Sequence, residues 1–226
     1  MTSPAFLRAR RPEQKQQRRE AILKAASDLA RASGVRNVSL GAVAEAVGLA
    51  KSNISRYYAT REEIYLELLA EEWEQCGRTL TARLQKASGA EAALSAFAST
   101  ITERPLFCDL LSHLPTSLEL NISAAAASTF KHAMHHHFAT IGAAIADATE
   151  LTPSEGAELV GVAAGMAGLL YRAANPPAVL AQVYSQEPEL AATRPALQPT
   201  LTRMLMALAA GLPGLRGQKL PGDPAV

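Results

Sequence analysis

Apolar residues recur at intervals of three and four along most of this chain, and glycines and prolines interrupt the pattern. Leu40, Val43, Ala44 and Val47 show this spacing most clearly, and Gly48 follows them directly. Such spacing places side chains on one face of an α-helix, and a glycine after the last of them is a common stop signal. No stretch shows the strict apolar–polar alternation of a half-buried strand. The sequence therefore predicts an all-α fold.

The same pattern predicts about nine helices. The first extends from about Glu13 to Ala32, and Ser39 is a suitable N-cap for the second. A third, very short helix covers about 51–57. The fourth begins with a capping box, in which Thr60 caps the helix and Glu63 reaches back. Later helices are expected at about 90–103, 105–113, 118–149, 153–174 and 193–212, with 175–192 as a long connection.

Charge is distributed unevenly along the 226 residues. Residues 1–70 contain 12 Lys and Arg against 7 Asp and Glu, a net charge of +5, and the remaining 10 and 14 give −4. A basic first part and an acidic second part indicate that only the first part has a polyanionic partner. A basic disordered tail would give the same imbalance, since six basic residues lie within the first 19. Charge alone leaves both interpretations open.

The composition favours a cytoplasmic protein that does not enter membranes. Two cysteines, Cys76 and Cys108, fit a reducing compartment better than a disulfide scaffold. The N-terminus lacks the apolar stretch of a secretory signal. The most apolar run, 159–171, is shorter than the roughly 20 residues that cross a bilayer.

The short third helix is the most informative part of the sequence. Ile54 and Tyr58, four residues apart, are expected to anchor it to the core, which turns its polar side chains outward. A DNA major groove admits one helix, and short donors and acceptors on that helix can reach base edges. Two helices joined by a tight glycine turn, the second of them polar outside, fit a helix-turn-helix motif. A solvated turn in an ordinary helical bundle is the alternative interpretation of the same pattern.

Residues 18–70 resemble the TetR family of transcriptional regulators. The resemblance rests on the first-helix run REAILKAASDLARASG, the VAEAVGL turn, the Tyr57-Tyr58 pair and the T-R-E-E start of the fourth helix. It implies an all-α protein with an N-terminal three-helix helix-turn-helix DNA-binding domain and a C-terminal helical ligand-binding and dimerisation domain. The expected organisation is a disordered basic tail (1–12), the DNA-binding domain (13–59), the regulatory and dimerisation domain (60–213) and a flexible tail (214–226).

The resemblance also implies a partner and a set of DNA-binding residues. The partner is a palindromic double-stranded DNA operator, bound by a homodimer that responds to a small-molecule effector. Ser55 stands where many members carry an aromatic residue, so Tyr57 is expected to take over part of that contact. The expected DNA-binding residues are Ser39, Lys51, Ser52, Asn53, Ser55, Arg56, Tyr57, Thr60 and Arg61.

Two further sets of residues are predicted for the C-terminal part. A small apolar ligand is expected to release a repressor of this kind from its operator. The residues expected to line its pocket are Trp73, Cys76, Phe97, Phe107, His113, Phe130, Met134 and Tyr171. Glycines at helical spacing favour close helix approach, and apolar residues supply area for a dimer interface. The expected interface residues are Gly161, Gly165, Gly168, Leu169, Leu201, Met204, Leu205 and Leu208.

The histidine run at 132–137 supports an alternative function. His132 and His136 are four residues apart and could share a metal on one helix face, as in a helical metal-binding enzyme or metal sensor. No Cys or carboxylate lies within two helical turns on either side of the run to complete such a site. No catalytic set or phosphate-binding loop is recognisable, so we expect neither enzymatic activity nor a cofactor.

Overall fold

The computed structural model describes the backbone of residues 4–218 and the side chains of residues 13–218. Over this range the chain is helical and contains no β-strand, which confirms the all-α prediction. The expected flexible tail lies outside the described residues from position 219 onward. The α-helices are α1 (Pro4–Ser33), α2 (Leu40–Ala46), α3 (Lys51–Ile54), α4 (Arg61–Leu84), α5 (Ala90–Thr102), α6 (Pro105–His113), α7 (Ala124–Ala146), α8 (Pro153–Ala174), α9 (Ala178–Gln186), α10 (Pro188–Ala191) and α11 (Leu197–Gly211).

Several regions differ from the sequence-based expectation: α7 begins at Ala124 and not near 118, and α3 ends at Ile54 and not near 57. Helix α1 begins at Pro4, so residues 4–12 of the expected disordered tail are helical, while residues 1–3 lie outside the described part. The expected connection 175–192 contains α9 and α10. Pro177 directly precedes α9 and Pro188 opens α10. Proline in the first turn of a helix costs no hydrogen bond, so these prolines mark helix starts and not a loop.

Packing divides the chain into two compact units. The boundaries lie between Trp73 and Glu74 in α4, between Glu103 and Arg104 before α6, and between Met134 and His135 in α7. The first unit comprises the chain up to Trp73 together with Arg104–Met134. Trp73 and Phe107 meet edge to face in its core, with ring centroids 4.8 Å apart. The carboxylate of Glu72 is buried there and accepts hydrogen bonds from Arg104 and Arg31. A buried carboxylate needs such partners, since leaving one unpaired would be costly.

The second unit comprises Glu74–Glu103 and the chain from His135 onward. Helix α11 packs against α5 and α8. Helices α7 and α8 approach through Gly142 and Gly156. Thr152 and Glu155 form a capping box at the start of α8. Glu155 also accepts two hydrogen bonds from Arg216, which ties the end of the described chain to this helix.

Helix α8, Pro153–Ala174, has the predicted bounds and extends beyond the apolar run 159–171 on both sides. By length and composition it could cross a membrane: an 18-residue stretch of the helix has a mean hydropathy of 1.2, and 33% of that stretch is buried. The core helix of a soluble protein passes the same test. In this structure one face of α8, including Leu159 and Ala163, lies in the core of the second unit.

Candidate nucleic-acid interface

Helices α2 and α3 are joined by a turn that only a few residues can make. Gly48 has φ +66°, a left-handed conformation that costs glycine nothing. Its N–H donates to the Glu45 carbonyl at 3.0 Å, and the Leu49 N–H donates to the Ala44 carbonyl at 2.8 Å. These two bonds form a Schellman motif, which satisfies the last carbonyls of α2. The chain therefore leaves α2 in a fixed direction and enters α3 two residues later.

Helix α3 turns its polar side chains to solvent, as the sequence predicted. Ile54 is fully buried and Tyr58 is 3% exposed, so both anchors are confirmed. The Ser55 hydroxyl donates to the Ser52 carbonyl at 2.9 Å, which leaves its oxygen free to accept. The exposed side chains of α3 are Lys51, Ser52 and Asn53. The helix, expected at about 51–57, ends at Ile54, and the turn that follows it exposes Ser55 and Arg56, with Tyr57 half-buried.

Two predicted contact residues act as helix caps. The exposed Ser39 hydroxyl accepts from the Ala42 N–H at 3.1 Å at the start of α2. The Thr60 hydroxyl accepts from the Glu63 N–H at 3.3 Å at the start of α4. The Glu63 carboxylate reaches back to the Ala59 N–H at 3.0 Å, one residue earlier than the expected capping box requires.

Arg61 serves the fold more directly than the sequence suggested. Its guanidinium donates to the carbonyls of Arg36 and Val38, at 3.1 and 2.8 Å, and to the Glu62 carboxylate at 2.7 Å. These bonds hold the α1–α2 connection against the start of α4. The Nε and Nη1 groups of Arg61 therefore position the motif, and its phosphate contact stays a prediction.

A second arginine links the end of α3 to α1 and α4. Arg19 pairs with Glu67, donates to the Tyr57 carbonyl at 3.4 Å and lies over the Tyr58 ring, 4.5 Å from its centroid. The Tyr58 hydroxyl donates to Glu67 at 2.9 Å. Burial, with the Glu67 charge beside it, raises the pKa of Tyr58 well above its ordinary value, so the phenol stays protonated and donating.

Sequence reasoning missed the contribution of α1 to this surface. Lys15 and Arg18 are exposed and line one groove together with Arg56 and Tyr57. From the sequence alone, these two residues were counted only among the six basic residues within the first 19 positions. Lys15 and Arg18 are three positions apart, which places them on one helix face. This spacing could have indicated from the sequence that they act together. Basic side chains beside a helix that reads bases are suited to bind the phosphate backbone.

Sequence comparison with known families agrees with this geometry. The family described as bacterial regulatory proteins, tetR family, matches residues 22–68. The family described as tetracyclin repressor-like, C-terminal domain, matches residues 70–214. The chain belongs to the TetR family. It is a DNA-binding transcriptional regulator.

Solved structures of this TetR-family fold are similar along most of the chain. FadR from Thermus thermophilus, in complex with lauroyl-CoA, has a TM-score of 0.55 at 18% identity and covers 92% of this chain and 98% of its own. A possible TetR-family regulator from Streptomyces coelicolor has a TM-score of 0.58 at 17% identity. The match covers 88% of this chain and 100% of that protein's chain. FadR from Bacillus subtilis, in complex with stearoyl-CoA, has a TM-score of 0.52 at 12% identity. The match covers 85% of this chain and 98% of that protein's chain. No curated protein sequence matches this regulator.

The residues predicted to line a ligand pocket are mostly buried, but they are divided between the units. Trp73, Phe107, His113, Phe130 and Met134 belong to the first unit, and Cys76, Phe97 and Tyr171 belong to the second. Trp73, Cys76, Phe97 and Phe107 are fully buried. His113 lies 3.5 Å from the Asp109 carboxylate. The edge-to-face pair of Trp73 and Phe107 brings two of the predicted residues together in the first unit.

The predicted interface residues separate into two groups. Leu201, Leu205 and Gly168 lie in the core of the second unit, where the chain itself covers them. Gly161 faces Phe138, and Leu208 is half-buried. The residues that remain open are Gly165, Leu169 and Met204, the last two being 63% and 38% exposed.

The structure does not support the metal-binding alternative. His132, His135 and His136 are exposed on α7, and His137 is half-buried. Burial, together with the neighbouring His136, lowers the pKa of His137. Between residues 13 and 218, no group of three or more His, Cys, Asp or Glu side chains is placed to hold a metal ion.

Proposed function

We propose that this regulator is a cytoplasmic repressor that binds a palindromic double-stranded operator as a homodimer and is released by a small apolar ligand. The observation that supports it best is the exposed polar face of α3, held on two buried anchors. Asn53 can pair with adenine, and Lys51 or Arg56 with guanine, each through two hydrogen bonds. Ser39, Thr60, Lys15 and Arg18 surround this helix and are suited to phosphate contacts, which fix its orientation.

Homodimer formation is supported by an uncovered apolar surface on α8 and α11. Val162 and Leu169 on α8 are 42% and 63% exposed, and Met204 on α11 is 38% exposed. A Cβ atom on Gly165 would meet nothing within 4 Å, so a partner's backbone can approach there. Exposed apolar patches of this kind mark association sites. A two-fold symmetric dimer would present two α3 helices to the two halves of a palindrome.

The ligand is proposed to lie in the first unit, among the buried apolar residues Trp73, Phe107 and Phe130. A ligand shifts the DNA-binding equilibrium only by its different affinity for the two states. Two structures of similar fold hold acyl-CoA molecules, so an acyl chain is the first ligand to test. Trp73 is the single tryptophan, so its fluorescence should change on adding a ligand that releases DNA. Unchanged emission, with the same dose response in Trp73→Ala, would place the ligand elsewhere.

DNA footprinting upstream of the protein's own gene tests the DNA-binding assignment. The parent protein should protect a site with two-fold symmetry. Asn53→Ala and Arg56→Ala should each weaken operator binding by about 1–3 kcal/mol and leave binding to random DNA nearly unchanged. Arg78→Ala, an exposed arginine on α4, is the matched control. If both variants bind the operator as tightly as the parent, α3 and the turn after it do not read the operator.

A further inference from the structure

A cavity lies beside the turn that follows α3, entirely within the first unit. Its volume is about 470 Å³, within the range of small-molecule sites. The wall is formed by α1, the end of the α3 segment, the first turns of α4 and the first turns of α7. Its lining residues are Arg19, Tyr57, Tyr58, Glu63, Leu66, Glu67, Ala70, Ser123, Ala126, Thr129, Phe130 and Ala133. Apart from Phe130, none of them belongs to the apolar set proposed above for the effector.

The lining carries one more negative than positive charge. It contains two carboxylates, Glu63 and Glu67, and a single cation, Arg19. Arg19 is paired with Glu67, and its guanidinium also lies over the Tyr58 ring. The positive charge is therefore already matched by one carboxylate, and the charge of Glu63 remains.

Glu63 is held in place by neutral groups. Its carboxylate accepts from the Ala59 N–H at 3.0 Å and from the Ser123 hydroxyl and N–H at 2.9 and 3.3 Å. Partial burial opposes ionisation, but these hydrogen bonds outweigh it and hold the pKa of Glu63 below its ordinary value. No ion pair of Glu63 is formed within the described side chains. The Arg19 charge in the same wall also contributes to lowering the pKa of Glu63. Because Arg19 is itself paired with Glu67, the lining keeps a net negative charge, which favours a cation.

The rest of the wall suits an organic cation better than a hydrated metal ion. Leu66, Ala70, Ala126 and Ala133 supply apolar surface, and Tyr57 and Phe130 supply aromatic rings. Aromatic faces attract alkylammonium groups, most strongly where water is excluded. We infer that this cavity binds a small organic monocation, an amine or quaternary ammonium compound, with its charge at Glu63 and its apolar part against Phe130. Tyr57 belongs both to this wall and to the groove lined by Lys15, Arg18 and Arg56, so the bound cation would lie against the turn that follows α3.

Three soluble probes of similar size and different charge test the inference without DNA: benzyltrimethylammonium, benzyl alcohol and phenylacetate. Calorimetric titration of the full chain should show the cation binding at least about tenfold more tightly than the neutral and anionic probes, a difference of about 1.4 kcal/mol. Added salt should weaken cation binding because the charges are partly exposed. Equal affinity for all three probes, or no cation binding at millimolar concentration, would overturn the proposal.

Two variants and a control locate the site. Glu63→Gln removes the charge and keeps an oxygen that can accept from Ala59, so cation affinity should fall about tenfold. Ala126→Phe fills the cavity from α7, keeps both carboxylates in the chain and should abolish binding. Glu74→Gln, the same change at an exposed position of α4, should bind as the parent does. If Glu63→Gln does not fold, as judged by thermal unfolding, Ala126→Phe decides alone, and unchanged affinity in that variant refutes the site.

Discussion

The backbones of Gly142 and Gly156 approach so closely that a Cβ atom on Gly156 would lie 2.2 Å from the Gly142 carbonyl oxygen. A Cβ atom on Gly142 would lie 2.3 Å from the Ala157 nitrogen. Both neighbours are backbone atoms, which cannot rotate away as a side chain can. The crossing of α7 and α8 in the second unit therefore requires glycine at both positions.

Gly142→Ala should destabilise the protein although alanine is the better helix former. Overpacking a well-packed site typically costs about 1–3 kcal/mol, more than the roughly 1 kcal/mol gained in helix propensity. Gly211→Ala is the matched control, because a Cβ atom there meets nothing within 4 Å. Denaturant unfolding followed by circular dichroism measures both. A Gly142→Ala protein as stable as the parent would show that α7 and α8 do not cross through these glycines.

Lys15→Ala should weaken operator and random DNA binding to the same extent. A phosphate contact carries no sequence information, so removing it lowers affinity uniformly and reduces the salt slope by about 1. Binding is measured by fluorescence anisotropy at several salt concentrations. Lys131→Ala, an exposed lysine on α7, serves as control and should leave both affinity and slope unchanged. A selective decrease of operator binding in Lys15→Ala would instead indicate that α1 reads bases.

Leu169→Glu and Gly165→Leu should each weaken the proposed homodimer at least about tenfold. A two-fold interface contains each residue twice, and burying one leucine contributes about 1.5–3 kcal/mol. Leu120→Glu is the matched control, because Leu120 is 76% exposed and belongs to the other unit. Sedimentation equilibrium gives the dissociation constants. A monomeric parent at concentrations that saturate the operator would refute the interface, as would a Leu169→Glu variant that associates normally.

The ion pair between Glu155 and Arg216 should make stability depend on pH in the acidic range. Hydrogen bonds from Arg216, with further ones from Thr152, lower the pKa of Glu155 from 4.5 to about 2. A carboxyl whose pKa is lowered on folding contributes stability that is fully present above pH 4.5 and is lost as pH falls toward 2. Arg216→Gln should therefore differ most from the parent above about pH 4.5, and the difference should shrink as pH approaches about 2.

Thermal unfolding between about pH 2 and pH 7 measures this dependence. Arg203→Gln, an exposed arginine on α11, should follow the parent curve at every pH. A difference between Arg216→Gln and the parent that stays constant across the whole acidic range would show that Glu155 does not carry the effect.

The sequence by itself determined the helical class, the helix-turn-helix and the outward face of α3. These depend on local features: the i, i+3, i+4 spacing of Leu40 to Val47, the left-handed Gly48, and the Thr60 cap. Local sequence sets them because each involves residues within a few positions of one another. The family resemblance rested on the same short segments, and the matched ranges 22–68 and 70–214 agree with it.

Only the tertiary structure decided which residues of an apolar face are covered by the chain itself and which remain open. Leu201 and Leu205 are buried while Met204 is exposed, although all three had been assigned to one interface. Helical periodicity gives the face of a side chain but not the neighbour that covers it, because that neighbour is distant in sequence. The same reason explains why the sequence did not reveal the cavity lined by Glu63, Tyr57 and Phe130: its walls come from segments that are far apart along the chain. Arg61 likewise was predicted only as a DNA contact, and its hydrogen bonds to the carbonyls of Arg36 and Val38, 25 and 23 positions earlier, give it a role in the fold that local spacing does not reveal.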